Sequence, residues 1–229
     1  MTVDFAYARF NMVACQIQPN RVTERRILSA FRTVPRELFI PAGQVSVAYR
    51  DQNIPLSPYR TLLAPVLLAQ MIKAAAPEPE DKILDVACGT GYATAILCHL
   101  SHAVYGIEQD PVLAQKARDH LDALQLAGSI VEGPVNEGYR PQAPYDVILL
   151  QGMVENPCLH LVQNLLTQLA EGGRLVAVQR AHKEVSSVNQ GVGCLTVWRK
   201  GLGRVTTSIV SDAWAPMLPE FRAEKSFVL

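Results

Sequence analysis

The stretch ILDVACGTGY, residues 83–92, decides the fold of this chain. Its first four residues are apolar except for Asp85, a composition typical of a buried parallel strand. A loop of small residues follows and leads into the helix-like run 93–100. A strand, a glycine loop and a helix in this order predict a nucleotide-binding unit. Backbone N–H groups at the helix N-terminus approach a ligand closely only where side chains are absent.

The acid within this stretch indicates which ligand is expected. A dinucleotide pyrophosphate would meet a like charge at Asp85, whereas a ligand with an ammonium group would find a partner there. S-adenosylmethionine carries such a group, so the loop predicts a methyl-donor site. A nicotinamide dinucleotide is the competing ligand, but its fingerprint needs a third glycine or alanine where this chain has Thr94.

A second acid, Glu108, ends the next predicted strand at about the twenty-residue interval seen for carboxylates that bind ribose hydroxyls. One carboxylate has two oxygens and so accepts from both hydroxyls of a ribose. The glycine loop and this acid together predict a nucleoside-containing ligand. The alternative interpretation is an ordinary tight turn followed by a solvated glutamate.

Strands and helices alternate after a proline- and acid-rich link at residues 74–81. Strands are predicted at 83–86, 103–107, 129–132, 145–150 and 174–179, and helices at 93–100, 111–126 and 158–170. Gly172 and Gly173 are expected to close the last of these helices. A final pair at 195–199 and 205–210 is expected to be antiparallel. The pattern predicts an α/β, Rossmann-like class I methyltransferase fold: a mostly parallel twisted sheet with an antiparallel C-terminal strand pair.

The segment before the link is helical and rich in loops. We expect helices at 5–18, from a cap at Thr23 to Pro35, and at 61–75 with Pro65 in its first turn. The predicted organisation is one domain over 1–229. It comprises an N-terminal helical extension, 1–76, and a donor-binding core, 77–229.

Composition limits the possible partners. Of 229 residues, 49% are hydrophobic, and 21 Lys and Arg balance 21 Asp and Glu, so no basic field favours DNA or RNA as a partner. The longest apolar runs are too short to span a bilayer, and the first residues do not read as a signal peptide. The five scattered cysteines are expected to be reduced thiols in a cytoplasmic protein. Cys98, His99 and His102 do not match a zinc spacing, so no metal is expected.

The chain resembles the protein-L-isoaspartate O-methyltransferases almost from end to end. The specific part is VPRELFIP at 34–41, supported by MVACQIQP at 12–19, AYRD at 48–51 and APYDVI at 143–148. The resemblance implies S-adenosylmethionine as the methyl donor and the α-carboxylate of an isoaspartyl residue in damaged protein as the acceptor. The methyl ester then cyclises to a succinimide, which reopens partly to normal aspartate.

The donor motif and the resemblance together predict a set of cofactor-binding residues. These are Asp85, Ala87, Cys88, Gly89, Gly91, Tyr92, Glu108, Gln109, Gly133 and Pro134. The last two align with the family's Gly-Asp-Gly segment, whose acid is absent here, although Glu132 and Glu137 lie nearby in the sequence.

The acceptor side departs from the family. Its signature Gly-Gln-Thr-Ile-Ser-Gln-Pro aligns with YRTLLAP at 59–65, so Leu63 replaces the serine that lies beside the transferring methyl group. The predicted catalytic residues are Arg60, as a cation for a carboxylate, and Thr61, to position an acceptor oxygen. The alternative interpretations are that Arg60 is a surface arginine and that Thr61 caps the following helix. Asp51 is expected to line the cleft or to form a turn.

Three functions remain open at this point. The first is a carboxyl methyltransferase acting on isoaspartyl protein or peptide, and the second is a methyltransferase with another acceptor. The third is a donor-binding protein without catalysis. The second and third functions stay open because segment 59–65 departs from the family signature. The sequence does not predict the oligomeric state.

Overall fold

A computed structural model describes residues 4–155, 160–180 and 193–222. Its strands are β1 (Ile54–Ser57), β2 (Arg60–Leu62), β3 (Lys82–Val86), β4 (Ala103–Glu108), β5 (Ser129–Glu132), β6 (Tyr145–Val154), β7 (Leu169–Arg180), β8 (Gly193–Gly201) and β9 (Arg204–Ala213). Its α-helices are α1 (Phe5–Asn11), α2 (Arg25–Thr33), α3 (Pro65–Ala75), α4 (Tyr92–Cys98), α5 (Pro111–Ala123) and α6 (Gln163–Thr167).

The main sheet has seven strands in the order β5-β4-β3-β6-β7-β8-β9. The first five strands pair in parallel, and β7–β8 and β8–β9 pair antiparallel. The chain therefore runs outward from β3 to β5 and returns to the other side of β3 with β6. The predicted Rossmann-like fold class is confirmed, including its antiparallel C-terminal pair.

Alternate residues of the central strands pack on opposite faces of the sheet. Ile83, Val147 and Leu149 join the apolar cluster that includes α1 to α4. Leu84 and Ile148 join the cluster on the other face, which includes residues of α6. Because each strand residue points to the face opposite its neighbour's, a continuous apolar run is buried on both sides.

Among the described residues, no helix has both the length and the apolar character needed to cross a lipid bilayer.

The first helix changes its winding where the sequence predicted one regular helix to residue 18. Asp4 caps α1 by accepting from the Tyr7 N–H at 3.0 Å, and a π-helical segment, Met12–Ile17, follows. A short 3₁₀ turn, Gln18–Asn20, ends it. A π turn brings residues five apart onto one face, and Met12 and Ile17 are both fully buried.

The predicted helix at 61–75 is wrong at its start. Residues 60–62 form β2, which pairs antiparallel with β1, and α3 begins only at Pro65. The first N–H groups of this helix are capped from outside it: Asn53 Oδ1 accepts from Ala64 N–H at 2.7 Å, and Asp51 Oδ1 accepts from Val66 N–H at 3.1 Å. Thr61 is therefore not the helix cap.

Two other predicted helix ends are also corrected. Glu24, rather than Thr23, is the N-cap residue of α2. The predicted helix 158–170 is observed as the shorter α6, although residues 156–159 lie outside the described part of the chain. Gly172 and Gly173 lie within β7, in an irregular stretch between the residues that pair with Tyr145 and Val147. Gly172 has a φ of +80°, which favours glycine.

Arg174 of β7 ties α3 to the amino-terminal edge of the sheet. Its Nε donates to the Ala75 carbonyl at 2.6 Å, and one terminal nitrogen donates to the Ala76 carbonyl and to Asp81 Oδ2, both at 2.7 Å. A guanidinium in this position satisfies carbonyls that the end of α3 leaves without helical partners. The side chain is largely buried, with 11% of it exposed.

We predict that Arg174→Met destabilises the fold by about 2–4 kcal/mol, because it leaves a half-buried carboxylate and helix-terminal carbonyls without a donor. Urea unfolding measures the change in the free energy of unfolding. The matched control is Arg199→Met, at an exposed position of β8. An equal effect of both substitutions would contradict this role for Arg174.

Candidate functional site

The predicted donor motif assembles at the carboxyl ends of β3 and β4. These strands pair in parallel with Val86 opposite Ile107, so the loop after β3 lies beside Glu108 at the end of β4. The Gly89 N–H donates to Glu108 Oε2 at 2.9 Å. The two features that the sequence singled out, nineteen residues apart, are therefore in direct contact.

The loop has a backbone that only small residues suit. Gly89 and Gly91 have φ values of +58° and +88°, and Gly91 is the N-cap residue of α4. A Cβ at Gly91 would lie 3.0 Å from the Cβ of Ala117 in α5. The absence of a side chain at Gly91 therefore lets α4 start close to α5.

Glu108 is fully buried and is surrounded by hydrogen-bond donors. Oε1 accepts from the backbone N–H groups of Gln109 at 2.7 Å and Asp110 at 3.0 Å. The Arg60 Nε lies 2.8 Å from Oε1 and 3.0 Å from Oε2, within hydrogen-bond distance of both. These donors fix the orientation of the Glu108 carboxylate.

Arg60 bridges Glu108 to the C-terminal part of the chain. Its two terminal nitrogens donate to Glu220 at 2.8 and 3.3 Å, and 3% of its side chain is exposed. Burial by itself would lower the pKa of Arg60, but hydrogen bonding to Glu220 and the charges of Glu108 and Glu220 raise it overall. The three side chains form a buried cluster with two carboxylates and one guanidinium.

The two predicted catalytic residues lie on opposite faces of the β1–β2 hairpin. Arg60 faces the donor loop and pairs with Glu108, and its predicted role toward the acceptor stays a prediction. Thr61, its neighbour in β2, lines a cavity of about 500 Å³ together with Asp51, Asn53, Pro55 and Trp214. The hairpin therefore separates the donor loop from this cavity.

The predicted role of Asp51 in lining the cleft agrees with its position in this cavity. One of its carboxylate oxygens is already used at the start of α3. Trp214 contributes an exposed aromatic ring, with 55% of its surface accessible. The cavity thus combines an acid, an amide, a hydroxyl and an indole.

Asp85 is fully buried and does not present a free carboxylate. Its oxygens accept from Thr94 Oγ1 and from Gln151 Nε2, both at 2.6 Å. Burial raises the pKa of Asp85 to about 7, an effect that the bonds from Thr94 and Gln151 oppose and the charge of Glu108 strengthens. In this geometry Asp85 links β3 to α4 and β6, and its predicted contact with the ligand stays a prediction.

The raised pKa of Asp85 makes stability depend on pH. Between pH 4 and 7 the folded chain holds a proton on Asp85 that the unfolded chain has released, so stability falls as the pH rises, by about 1 kcal/mol per pH unit. We predict that Asp85→Asn removes this slope and stabilises the chain more at pH 7.5 than at pH 5. Chemical unfolding at several pH values measures it, with the exposed Asp122→Asn as the control. Identical slopes in Asp85→Asn and the unsubstituted chain would contradict the prediction.

The other predicted cofactor-binding residues fall into two groups. Ala87, Cys88 and Tyr92 are buried, and the Tyr92 ring packs edge-on against Phe39, 5.4 Å between centroids, and below the Arg36 guanidinium. Gln109 and Pro134 are exposed near the Glu108 edge, and Gly133 N–H donates to the Glu108 carbonyl at 3.0 Å. The exposed group and the glycine loop therefore border the same edge of the sheet.

Leu63, at the position of the family's serine, is buried. Only 2% of it is exposed, and its carbonyl accepts from the fully buried Arg36 at 2.8 Å. Arg36 also donates to the Ala48 carbonyl at 2.8 Å. Position 63 therefore joins the core that packs the N-terminal extension, and its side chain offers no polar atom to the cavity.

Sequence reasoning missed three residues of this region: Leu56, Gln151 and Glu220. Leu56 packs on Gly89, since a Cβ there would lie 2.7 Å from the Leu56 Cδ1. Gln151 was not predicted, although its polar side chain within an apolar strand was an available signal. Nothing in the sequence around Glu220 indicates its contact with Arg60.

The fold and the strand-end site define this chain as a Rossmann-like class I methyltransferase. The sequence profile of the protein-L-isoaspartate(D-aspartate) O-methyltransferases matches residues 8–194. The chain belongs to this family.

The relatives support the same assignment over nearly the whole length. The chain is 35% identical to protein-L-isoaspartate O-methyltransferase 1 of Rhodopseudomonas palustris (strain HaA2), over 96% of this chain and 91% of the relative. It is 39% identical to the protein-L-isoaspartate O-methyltransferase of Koribacter versatilis (strain Ellin345), over 91% of this chain and 89% of the relative.

Two solved structures share the fold. A protein-L-isoaspartate O-methyltransferase superimposes with a TM-score of 0.75 at 20% identity, over 93% of this chain and 65% of the other. A Plasmodium falciparum chain assigned to the same activity, in complex with S-adenosyl-L-homocysteine, gives a TM-score of 0.75 at 17% identity, over 93% and 98% of the two chains.

Proposed function

We propose that this chain is an S-adenosylmethionine-dependent methyltransferase that esterifies the α-carboxylate of isoaspartyl residues in damaged protein. The observation that carries the proposal is the contact of the glycine loop with Glu108 at adjacent strand ends, in a member of this family. Parallel α/β sheets bind ligands at this edge.

The residues at the strand ends fit the methyl donor. The loop at Gly89 and Gly91 offers backbone without side chains, and Glu108 is the acid placed to accept from the ribose hydroxyls. When bound, the donor supplies a methyl group on a positively charged sulfur, which is a good leaving group. Glu108 is hydrogen-bonded to Arg60 in this structure, so this hydrogen bond has to break before Glu108 accepts from a ribose hydroxyl.

The acceptor is proposed to enter the cavity beside Thr61 and to reach the methyl group once the hairpin, which lies between the cavity and the donor loop, has moved. A carboxylate is already a nucleophile, so the chain needs chiefly to align it and to exclude water. The Thr61 hydroxyl is the group proposed to orient the reacting oxygen, and the exposed Trp214 ring offers a surface to the flanking peptide. No strong general base is needed for this transfer.

A second candidate function is methyl transfer to a different acceptor. It is favoured by Leu63, which replaces the family's serine with a buried apolar side chain. Replacing that serine removes a hydroxyl that could donate a hydrogen bond to the acceptor carboxylate. This candidate keeps the donor site and changes only what occupies the cavity.

Incubation with labelled S-adenosylmethionine and an isoaspartyl peptide tests the proposal directly. The matched control is the same peptide with normal aspartate. We expect base-labile methyl esters on the isoaspartyl peptide alone. Donor binding without any ester on this peptide would reject the isoaspartyl acceptor, and transfer to another peptide or small molecule would favour the second candidate.

We predict that Glu108→Gln lowers the affinity for S-adenosylhomocysteine by about tenfold or more, because a charge-assisted hydrogen bond to the ribose is lost. Isothermal titration calorimetry measures the affinity. Glu80→Gln is the matched control, since Glu80 is exposed and precedes β3, at the end of that strand away from the glycine loop. Equal affinities of the two variants would remove Glu108 from the donor site.

We also propose that residues 1–76 act as an extension that covers the donor core 77–229, since this extension supplies β1 and β2. The proposed location is the cytoplasm, in keeping with the free thiols at Cys15, Cys88, Cys98 and Cys194.

A further inference from the structure

We propose that Arg60 and Glu220 form a latch that competes with the methyl donor for Glu108, so that the β1–β2 hairpin must open before the donor binds. This inference rests on the proposed donor site. The latch joins the N-terminal hairpin to the C-terminal segment across the edge of the sheet where the glycine loop lies.

The first argument is the hydrogen-bonding capacity of Glu108. A carboxylate has about four lone-pair sites. Its oxygens already face three backbone N–H groups, from Gly89, Gln109 and Asp110, at 2.7 to 3.0 Å. The Arg60 Nε, within hydrogen-bond distance of both oxygens, takes what remains. A ribose hydroxyl therefore finds no free acceptor on Glu108 until Arg60 leaves.

The second argument is steric. Leu56 of the same hairpin lies against the outer side of Gly89, at 2.7 Å from where a Cβ would stand. Leu56 and Arg60 thus cover the two elements of the donor motif at once. Both come from the hairpin, so a single movement of β1 and β2 uncovers the loop and releases the carboxylate.

Glu220 holds the latch closed. Its carboxylate oxygens accept from the two terminal nitrogens of Arg60, while the Arg60 Nε stays on Glu108. A guanidinium is a rigid planar fork, so it cannot leave Glu108 without disturbing its bonds to Glu220. Glu220 is itself anchored, because the Phe221 carbonyl accepts from the Glu155 N–H and the Leu218 N–H donates to the Met153 carbonyl, each at 3.0 Å.

The charges make Arg60 an effective competitor. Arg60 has 3% of its side chain exposed, Glu108 none and Glu220 15%, so little water screens the cluster. Charge-assisted hydrogen bonds in such surroundings are among the stronger ones in proteins. A glutamine, which occupies the aligned position in the family signature, carries no charge and has a shorter side chain.

The test is the affinity for S-adenosylhomocysteine, measured by isothermal titration calorimetry on the full chain. We expect Arg60→Gln to bind about tenfold more tightly than the unsubstituted chain, and Glu220→Gln to bind more tightly by a smaller factor. Arg60→Lys keeps the charge but loses the planar guanidinium. We expect it to bind S-adenosylhomocysteine less tightly than either of these variants and more tightly than the unsubstituted chain. Arg140→Gln is the matched control, since Arg140 is exposed and precedes β6 at the opposite edge of the sheet.

Hydrogen exchange of the hairpin amides at residues 54–62 gives a readout that is independent of catalysis. We expect faster exchange in Arg60→Gln than in the unsubstituted chain when no ligand is present. If Arg60→Gln fails to fold in a thermal melt, Glu220→Gln decides the question, because that side chain lies at the rim of the cluster.

The outcomes separate the latch from the proposed function. Equal or weaker binding by both variants, with clear binding by the unsubstituted chain, overturns the latch and leaves the donor site in place. No binding by the unsubstituted chain or by any variant overturns both. Tighter binding by the variants, with no ester formed on an isoaspartyl peptide, supports the latch and rejects only the acceptor.

Discussion

The carboxylate of Glu108 is the point on which the organisation of the site depends. It lies at the end of β4, accepts from the backbone of the glycine loop, and pairs with Arg60 of the N-terminal hairpin. Through Arg60 it is also tied to Glu220 near the C-terminus. A buried ionised group is tolerated only when donors surround it, so three separate parts of the chain converge on this one side chain.

This convergence explains why the N-terminal extension matters to the site. The extension packs on one face of the sheet through an apolar cluster, and Arg36 fixes the backbone at Leu63 within it. The β1–β2 hairpin, which lies between Arg36 and Leu63 in the sequence, projects over the carboxyl ends of β3 and β4. One side of the hairpin carries Arg60 toward the donor loop, and the other carries Thr61 toward the cavity with Trp214.

Local pattern predicted the alternating strands and helices of the core well. The signals used were local ones: the continuous apolar runs at β3 and β6 and the proline at the start of α5. The parallel sheet was predicted from the alternation of strands and helices. Predictions failed where a distant residue supplied the deciding contact. The start of α3 is capped by Asp51 and Asn53, and β2 forms because β1 pairs with it. The glycines at 172 and 173 were read as a helix end, but they lie in an irregular part of β7.

The sequence by itself determined the class of fold, the family and the place of the donor motif, because each of these is written in residues that are close together in the chain. Only the tertiary structure decided what the charged side chains do. Arg60 meets Glu108 from 48 residues away and Glu220 from 160 residues away, and Asp85 meets Gln151 from 66 residues away. Contacts of this range depend on how the sheet edge is assembled, which no local spacing specifies.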